Sequence, residues 1–340
     1  MKCLKYGLIL GLLLACVLPA WAETDGDFGY EVVDGAAVVT NYTGSDAELV
    51  IPATLGGYQV VAVGDEAFYE CADLRMVTLP DSLVSIGESA FEECPILESV
   101  QWGAGIESIA YGAFYACPAM TTLDLSSCTN LQTIGAYAFA DCTGLTAVTI
   151  PPGMTGIVTG AFYGCSSLDA VHFSQNSALQ TIGESAFEGC TNLASITIPD
   201  GVKDIEDSAF ADTAIREFVI PNSVTNVGNS VVSPNLEQLT IGDGLTDLCC
   251  VKFGTTLKNL VIGNGVTNIT SSAFSGCSQL TNVVFGAAVR HIGENAFAGC
   301  RSLSELTMPA SLRDLQNAPF SGCTSLTNIV LNLKSAVERA

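Results

Sequence analysis

Positive charge is what this 340-residue chain has least of. Twelve Lys and Arg stand against 35 Asp and Glu, so 12 − 35 leaves a formal charge of −23. A surface of that sign repels phosphate backbones, which excludes nucleic acid as a partner. Between Met76 and Val202 there is no Lys or Arg at all, while 12 Asp and Glu occur there. Histidine is scarce as well, with only His172 and His291, far apart in the chain. His-Glu-x-x-His, Gly-x-Ser-x-Gly, Cys-x-x-Cys and phosphate-binding loops are all missing, so no recognised arrangement of nucleophile, base, metal or cofactor is present. The expectation is a chain without catalytic residues, cofactor or metal. Asp25-Gly26-Asp27 is only a fragment of a calcium loop and fails its later positions. Past the N-terminus no run of 18 apolar residues exists, so no transmembrane segment is expected after removal of a leader.

That leader is legible. Lys2 and Lys5 precede an apolar run from Tyr6 to Leu18, and Ala20-Trp21-Ala22 supplies small residues ahead of Glu23. The pattern is a secretory signal peptide over residues 1–22, cut after Ala22, with Ala20 and Ala22 as the processing residues. Leu13-Leu14-Ala15-Cys16 offers a competing reading, a lipobox in which Cys16 carries a lipid anchor. Once residues 1–22 are removed, Lys2 and Lys5 go with them, and 10 − 35 gives −25.

What the chain has in abundance is repetition. Ala-Phe recurs with its Phe at 68, 91, 114, 139, 162, 187, 210, 274 and 297, and Pro319-Phe320 closes the series. The spacing is 23 or 25 residues except for one gap of 64, which three shorter turns fill. Strand-like runs such as Met76-Val77-Thr78-Leu79 alternate with period two and end at Pro or Gly. Counting them from Leu49 to Leu331 gives 13. A coil of this length cannot shield its own apolar side, at about 1.5–3 kcal/mol for each buried side chain, so stability must come from stacking neighbours. The fold class expected is an α/β repeat solenoid, a curved parallel ladder of about 13 short strands. Ser85 to Phe91 reads as a turn leading into short helical or 3₁₀ pieces on the convex side. Residues 23–66 form an N-terminal cap with the first strand, 67–333 the repeats and 334–340 a C-terminal cap.

Leu74-x-x-Val77-x-Leu79, Cys190-x-x-Leu193-x-x-Ile196-x-Ile198-Pro199 and Ile292-Gly293-x-x-Ala296-Phe297-x-x-Cys300 carry a resemblance to the BspA-like leucine-rich repeats of bacterial and protist surface proteins. The resemblance implies a leucine-rich-repeat fold and an exported or surface-displayed binding or adhesion role, and it implies no catalytic residues. Only Cys128 and Asn176 fit the conventional Asn/Cys position after the strand, both in the 25-residue intervals.

Fourteen Cys invite a disulfide framework, yet nine sit three residues after the repeat Phe: Cys71, Cys94, Cys117, Cys142, Cys165, Cys190, Cys277, Cys300 and Cys323. One per coil, without a second ligand beside it, makes a buried structural column rather than a metal array. Cys249-Cys250 falls outside it. Acidic residues flanking Ala-Phe read as a solvated fringe that keeps an apolar-rich rod soluble. The outward strand positions of the concave face are the partner-binding candidates: Thr78, Gln101, Asp124, Thr149, His172 and Thr197, continued by Val219, Thr240, Val261 and Val284. They are small, β-branched and almost uncharged, without the aromatic or Arg anchors of a tight hot spot. The expected function is a secreted or cell-surface protein binding a protein partner or host-matrix component through that face. The rival is a passive spacer of the cell envelope.

Overall fold

The computed structural model describes residues 23–248 and 255–331. Ala20, Ala22, Cys16, Cys249 and Cys250 lie outside them. An antiparallel start comes first: β1 (Glu23–Asp25), β2 (Phe28–Val33) and β3 (Ala36–Tyr42) form a meander, and β3 then pairs in parallel with Tyr58–Val63. Phe28, Tyr42 and Phe68 stack in turn, with centroids 5.1 and 5.7 Å apart. The meander thereby covers the first ring of the repeat.

Later turns of the chain add parallel rungs. In the first ladder, Glu48–Val50 pairs Met76–Thr78, which pairs Ser99–Gln101. Further on, Glu217–Ile220, Gln238–Ile241, Asn259–Val261 and Asn282–Val284 run in unbroken register. Of the 13 runs expected, 12 are strands. The exception, around Ile196, is extended without ladder pairing. Coil length changes there, from 196 − 171 = 25 to 218 − 196 = 22 residues between equivalent inward positions.

A second parallel ladder, not expected from the sequence, begins where a turn was predicted. Ser85–Ile86 pairs with Ala62–Val63 and with Ser108–Ile109, which pairs Thr133–Ile134. The rungs Thr181–Ile182, Asp204–Ile205 and Asn226–Val227 continue the pattern. These rungs are two residues long, and Gly87, Gly135, Gly183 and Gly228 directly follow four of them. A Cβ on Gly135 would lie 2.3 Å from the Ala110 carbonyl carbon, so only Gly allows the coils to approach here.

The helical or 3₁₀ segments expected on the convex side do not form: the described residues contain no helix. Residues two before and two after each Phe adopt left-handed backbone, as at Glu66 and Glu70 (φ 55° and 54°), Ser89 and Glu93 (51° and 56°) and Tyr137 and Asp141 (58° and 55°). A helix cannot propagate through such residues. Tyr69 N–H still bonds back to the Glu66 carbonyl at 3.1 Å, one i→i+3 turn, but every second N–H points along the stack. Glu66, Phe68 and Glu70 donate to the carbonyls of Glu88, Ala90 and Glu92 at 2.8–2.9 Å, and Ser89, Phe91 and Glu93 do the same to the following coil. This turn row is a third set of inter-coil hydrogen bonds, and it satisfies backbone groups that would otherwise be buried unpaired.

Between the three rows lies one apolar core. Phe91, Cys94, Leu97, Ile106 and Ile109 are all fully buried, and the equivalent residues of successive coils join them. No buried side-chain nitrogen or oxygen among the described residues lacks a partner.

Candidate interaction surface

The cysteines belong to the core rather than to a site. Cys94 Sγ donates to the Phe68 carbonyl of the preceding coil at 3.2 Å, and Cys117, Cys142, Cys165 and Cys190 repeat that bond at 3.1–3.2 Å to Phe91, Phe114, Phe139 and Phe162. Cys300 and Cys323 bond Phe274 and Phe297 in the same way. The ten described thiols are free, Cys71 and Cys323 half-buried at the ends of the column and Cys128 buried apart from it. Burial pushes the thiols of Cys142, Cys190 and Cys277 up to about 12. They are protonated donors, not nucleophiles. Among the described residues no three potential ligands converge on a metal site.

The outward strand positions fall in three in-register groups: Thr78 beside Gln101, then Asp124, Thr149 and His172 on adjacent rungs, then Val219, Thr240, Val261 and Val284. Thr197, on the unpaired run, is exposed between the last two groups. Asp124 is already engaged: its carboxylate accepts the Ser126 N–H at 2.9 Å, and that bond holds its carboxyl below the ordinary range. His172 borders a shallow hollow with Asp169, Phe173 and Thr197, whereas Thr78 borders another with Val50 and Pro80.

A further hollow lies over the short coils. A groove of about 660 Å³ runs from Ile196 to Gly286 and shares only Thr197 with the six candidates. Its floor is Val219, Thr240, Val261 and Val284, of which Val219 and Val284 are 59% and 48% exposed. One wall is a rail of polar side chains in the turn after each strand. Asn222 Oδ1 accepts the Asp243 N–H at 2.8 Å, Asp243 Oδ1 the Asn264 N–H at 2.6 Å, and Asn264 Oδ1 the Ala287 N–H at 3.1 Å. The rail is fixed by backbone, and Gly263 and Gly286 bring its coils close: a Cβ on either would lie 2.2 and 2.0 Å from the carbonyl oxygen of the coil before. Apolar floor and ordered polar wall together suit an extended chain lying along the stack.

Sequence reasoning found these valines but not the groove. It lies over shortened coils: Phe218, Leu239 and Leu260 are rung partners, so 239 − 218 and 260 − 239 both give 21 residues, against 283 − 260 = 23 for the next. The shortened coils also change the wall opposite the groove. Val231 and Val232 stand where Ala-Phe would, with Phe210 N–H bonded to the Val231 carbonyl at 2.7 Å and Phe210 bridged to Val232. Thr213 takes the Cys position and bonds the Phe210 carbonyl at 2.9 Å. Thr213 and Ser233 are the buried polar residues of the described core, and both lie here. The signal was the missing Phe and Cys.

A family model described as BspA type leucine rich repeat region, six copies, matches residues 61–178, 127–236 and 250–339. Among solved structures, a leucine-rich repeat protein from Bacteroides ovatus is 29% identical, with a TM-score of 0.66 over 91% of this chain and 88% of that one. A leucine rich cell surface protein from Faecalibacterium prausnitzii is 23% identical, with a TM-score of 0.46 over 94% and 96%. No curated protein matches.

Proposed function

Because the chain belongs to the BspA type leucine-rich repeat family, whose members typically act in protein interaction at the cell surface or in secreted form, we propose that it is an exported adhesion protein. Its partner is a protein or host-matrix component, and it lies along the outward strand face in the groove between Ile196 and Gly286. The observation that carries this reading is the floor of exposed valines beside a backbone-fixed Asn/Asp rail. Export is supported by the leader sequence, cut after Ala22 or lipidated at Cys16, and mass spectrometry of the native N-terminus distinguishes the two.

The face is uncharged at the groove floor but lies on a chain of −23, so weak contacts repeated over several coils, rather than one anchor, supply the affinity. Two triple variants of the chain from residue 23 test the reading against purified matrix proteins: Val219→Lys, Val261→Lys and Val284→Lys, and separately Thr149→Lys, His172→Lys and Thr197→Lys. The groove variant is expected to lose saturable binding by at least about tenfold, because a lysine in each of three rungs must be desolvated. The second should lose less. Unchanged capture by a folded groove variant rejects the groove, and no saturable capture by the unaltered chain supports the passive spacer instead.

A further inference from the structure

We propose that the turn row between Phe91 and Phe187 binds an arginine-rich segment of a partner protein, held by exposed tyrosines and by carboxylates that no cation of this chain neutralises. Tyr111, Tyr137 and Tyr163 come from three consecutive coils, with ring centroids 5.9 and 6.4 Å apart. Tyr111 is 53% exposed and Tyr163 39%, with Tyr137 half-buried between them. They cross the row on a diagonal, standing three and two residues before the repeat Phe and one after it. Tyr137 is seated on the next coil: a Cβ on Gly160 would lie 2.3 Å from its ring, so only bare backbone leaves room for it there. Gly164 seats the Asp141 carboxylate in the same way, at 2.2 Å. Glu88 holds Tyr111's place one coil earlier, and Glu188 holds Tyr163's place one coil later. No residue of this surface lines the groove over the short coils.

Charge and spacing choose the occupant. Glu88, Glu92, Glu93, Asp141, Glu184 and Glu188 share the turn row with the tyrosines, while Met76 to Val202 holds no Lys or Arg. The ion pairs among the described residues use Glu48, Glu98, Glu237 and Asp314 instead. The local field is felt at Tyr115, whose hydroxyl is pushed up first by a hydrogen bond to Asp141 and further by the charges of Glu92 and Glu93. A guanidinium meets both kinds of group at once, stacking on a tyrosine ring and donating parallel hydrogen bonds to a carboxylate. Alternate side chains of an extended peptide stand about 6.7 Å apart, close to the ring spacing, so Arg at every second position reaches successive tyrosines. A neutral sugar chain would leave the carboxylates without a counter-charge, and rings tilted by 65° and 67° to one another offer it no flat platform. No tyrosine follows Tyr163, and Lys and Arg return from Lys203 onward, so the tyrosine ladder lies wholly within the cation-free stretch.

Fluorescence anisotropy of a labelled peptide of about ten residues, Arg alternating with Ser, titrated with the chain from residue 23, reads the outcome. Saturable binding is expected at about 50 mM salt, and at least about fivefold weaker binding at about 300 mM, where exposed charges are screened. Lys in place of Arg in the peptide should weaken it by at least about threefold, because an ammonium has no planar face to stack. Tyr111→Ala with Tyr163→Ala should cost about five- to thirtyfold in affinity; Tyr111→Leu with Tyr163→Leu, which keeps apolar bulk, serves as a second variant should that one misfold. Val261→Ser, in the groove, should leave peptide binding unchanged, so this surface and the groove stand or fail separately. Absence of saturable binding at about 50 mM salt overturns the proposal. So does a folded tyrosine variant that binds like the unaltered chain, which would reduce the contact to net charge. Displacement of the peptide by cellohexaose also overturns it, by assigning the rings to a sugar chain, as does a loss in Val261→Ser, by placing the peptide in the groove.

Discussion

From Phe68 to Phe210 the wall of each coil is a column of parallel rings; just beyond, it is built from Val231, Val232 and Thr213. In the first region successive rings stack at 4.8–5.9 Å with planes within 10° of one another, and a thiol ties each coil to the one before. In the second, Phe210 meets Phe218 at 5.3 Å with planes tilted by 53°, and Thr213 bonds within its own coil. Both keep the same inward aliphatics. Inward aliphatics alone thus suffice to stack the coils, and the ring and thiol column accompanies the longer ones. Where the column lapses, coils shorten to 21 residues, and the groove opens on the opposite face.

The comparison breaks most readily at a ring. Phe139→Ala removes a wholly buried side chain between Phe114 and Phe162, and should cost about 3–5 kcal/mol by urea unfolding. Val232→Ala, at the corresponding place in the short region, removes far less and should cost less than half as much. Equal losses would mean that the column has no special part in stability.

A thiol comes next. Cys142→Ala deletes the bond to the Phe114 carbonyl together with some packing, for about 1–2 kcal/mol, while Thr213→Val deletes a bond confined to one coil. The column also has a pH signature. Burial raises Cys142, Cys190 and Cys277 in the folded chain from 9.0 to about 12. A raised folded value means that the contribution is complete below pH 9 and is lost as pH climbs towards 12. Urea midpoints should therefore fall across that window, and by less in a chain carrying Ala at all three positions. A midpoint that is flat up to pH 12 contradicts the assignment.

The smallest effect is expected from surface charge. Glu237 bridges Arg216 at 2.9 Å and Lys258 at 2.7 Å across three short coils, and the hydrogen bond from Lys258 is the first cause of its lowered carboxyl. Glu237→Gln should shift the thermal midpoint slightly at pH 7. That difference should fade as pH falls below 4.5, because a lowered folded value gives stability that is full above the unfolded value and is lost as pH falls through the folded one.

Much of this was legible beforehand. The recurrence of Ala-Phe gave the coil length, and alternation at Val77-Thr78-Leu79 gave the inward and outward positions of the first ladder. The second ladder was hidden because two residues such as Ser85–Ile86 are too short to show a period. The missing helices had a signal that went unread: the positions flanking Phe by two are often Gly, Asn or Asp, as at Gly112, Gly160, Asp141 and Asn295, the residues that accept left-handed backbone. The groove depends on how coils of different length pack, which residue spacing marks but does not shape.

Native-state hydrogen exchange tests the contrast between the two regions most directly. The N–H groups of Phe91, Phe114, Phe139, Phe162 and Phe187 bond to the next coil under a continuous ring column, and that of Phe210 bonds to Val231 at its lapse. Peptides around Phe114 to Phe162 should exchange at least about tenfold more slowly than those around Phe210 and Val232. Equal protection across both regions would contradict it.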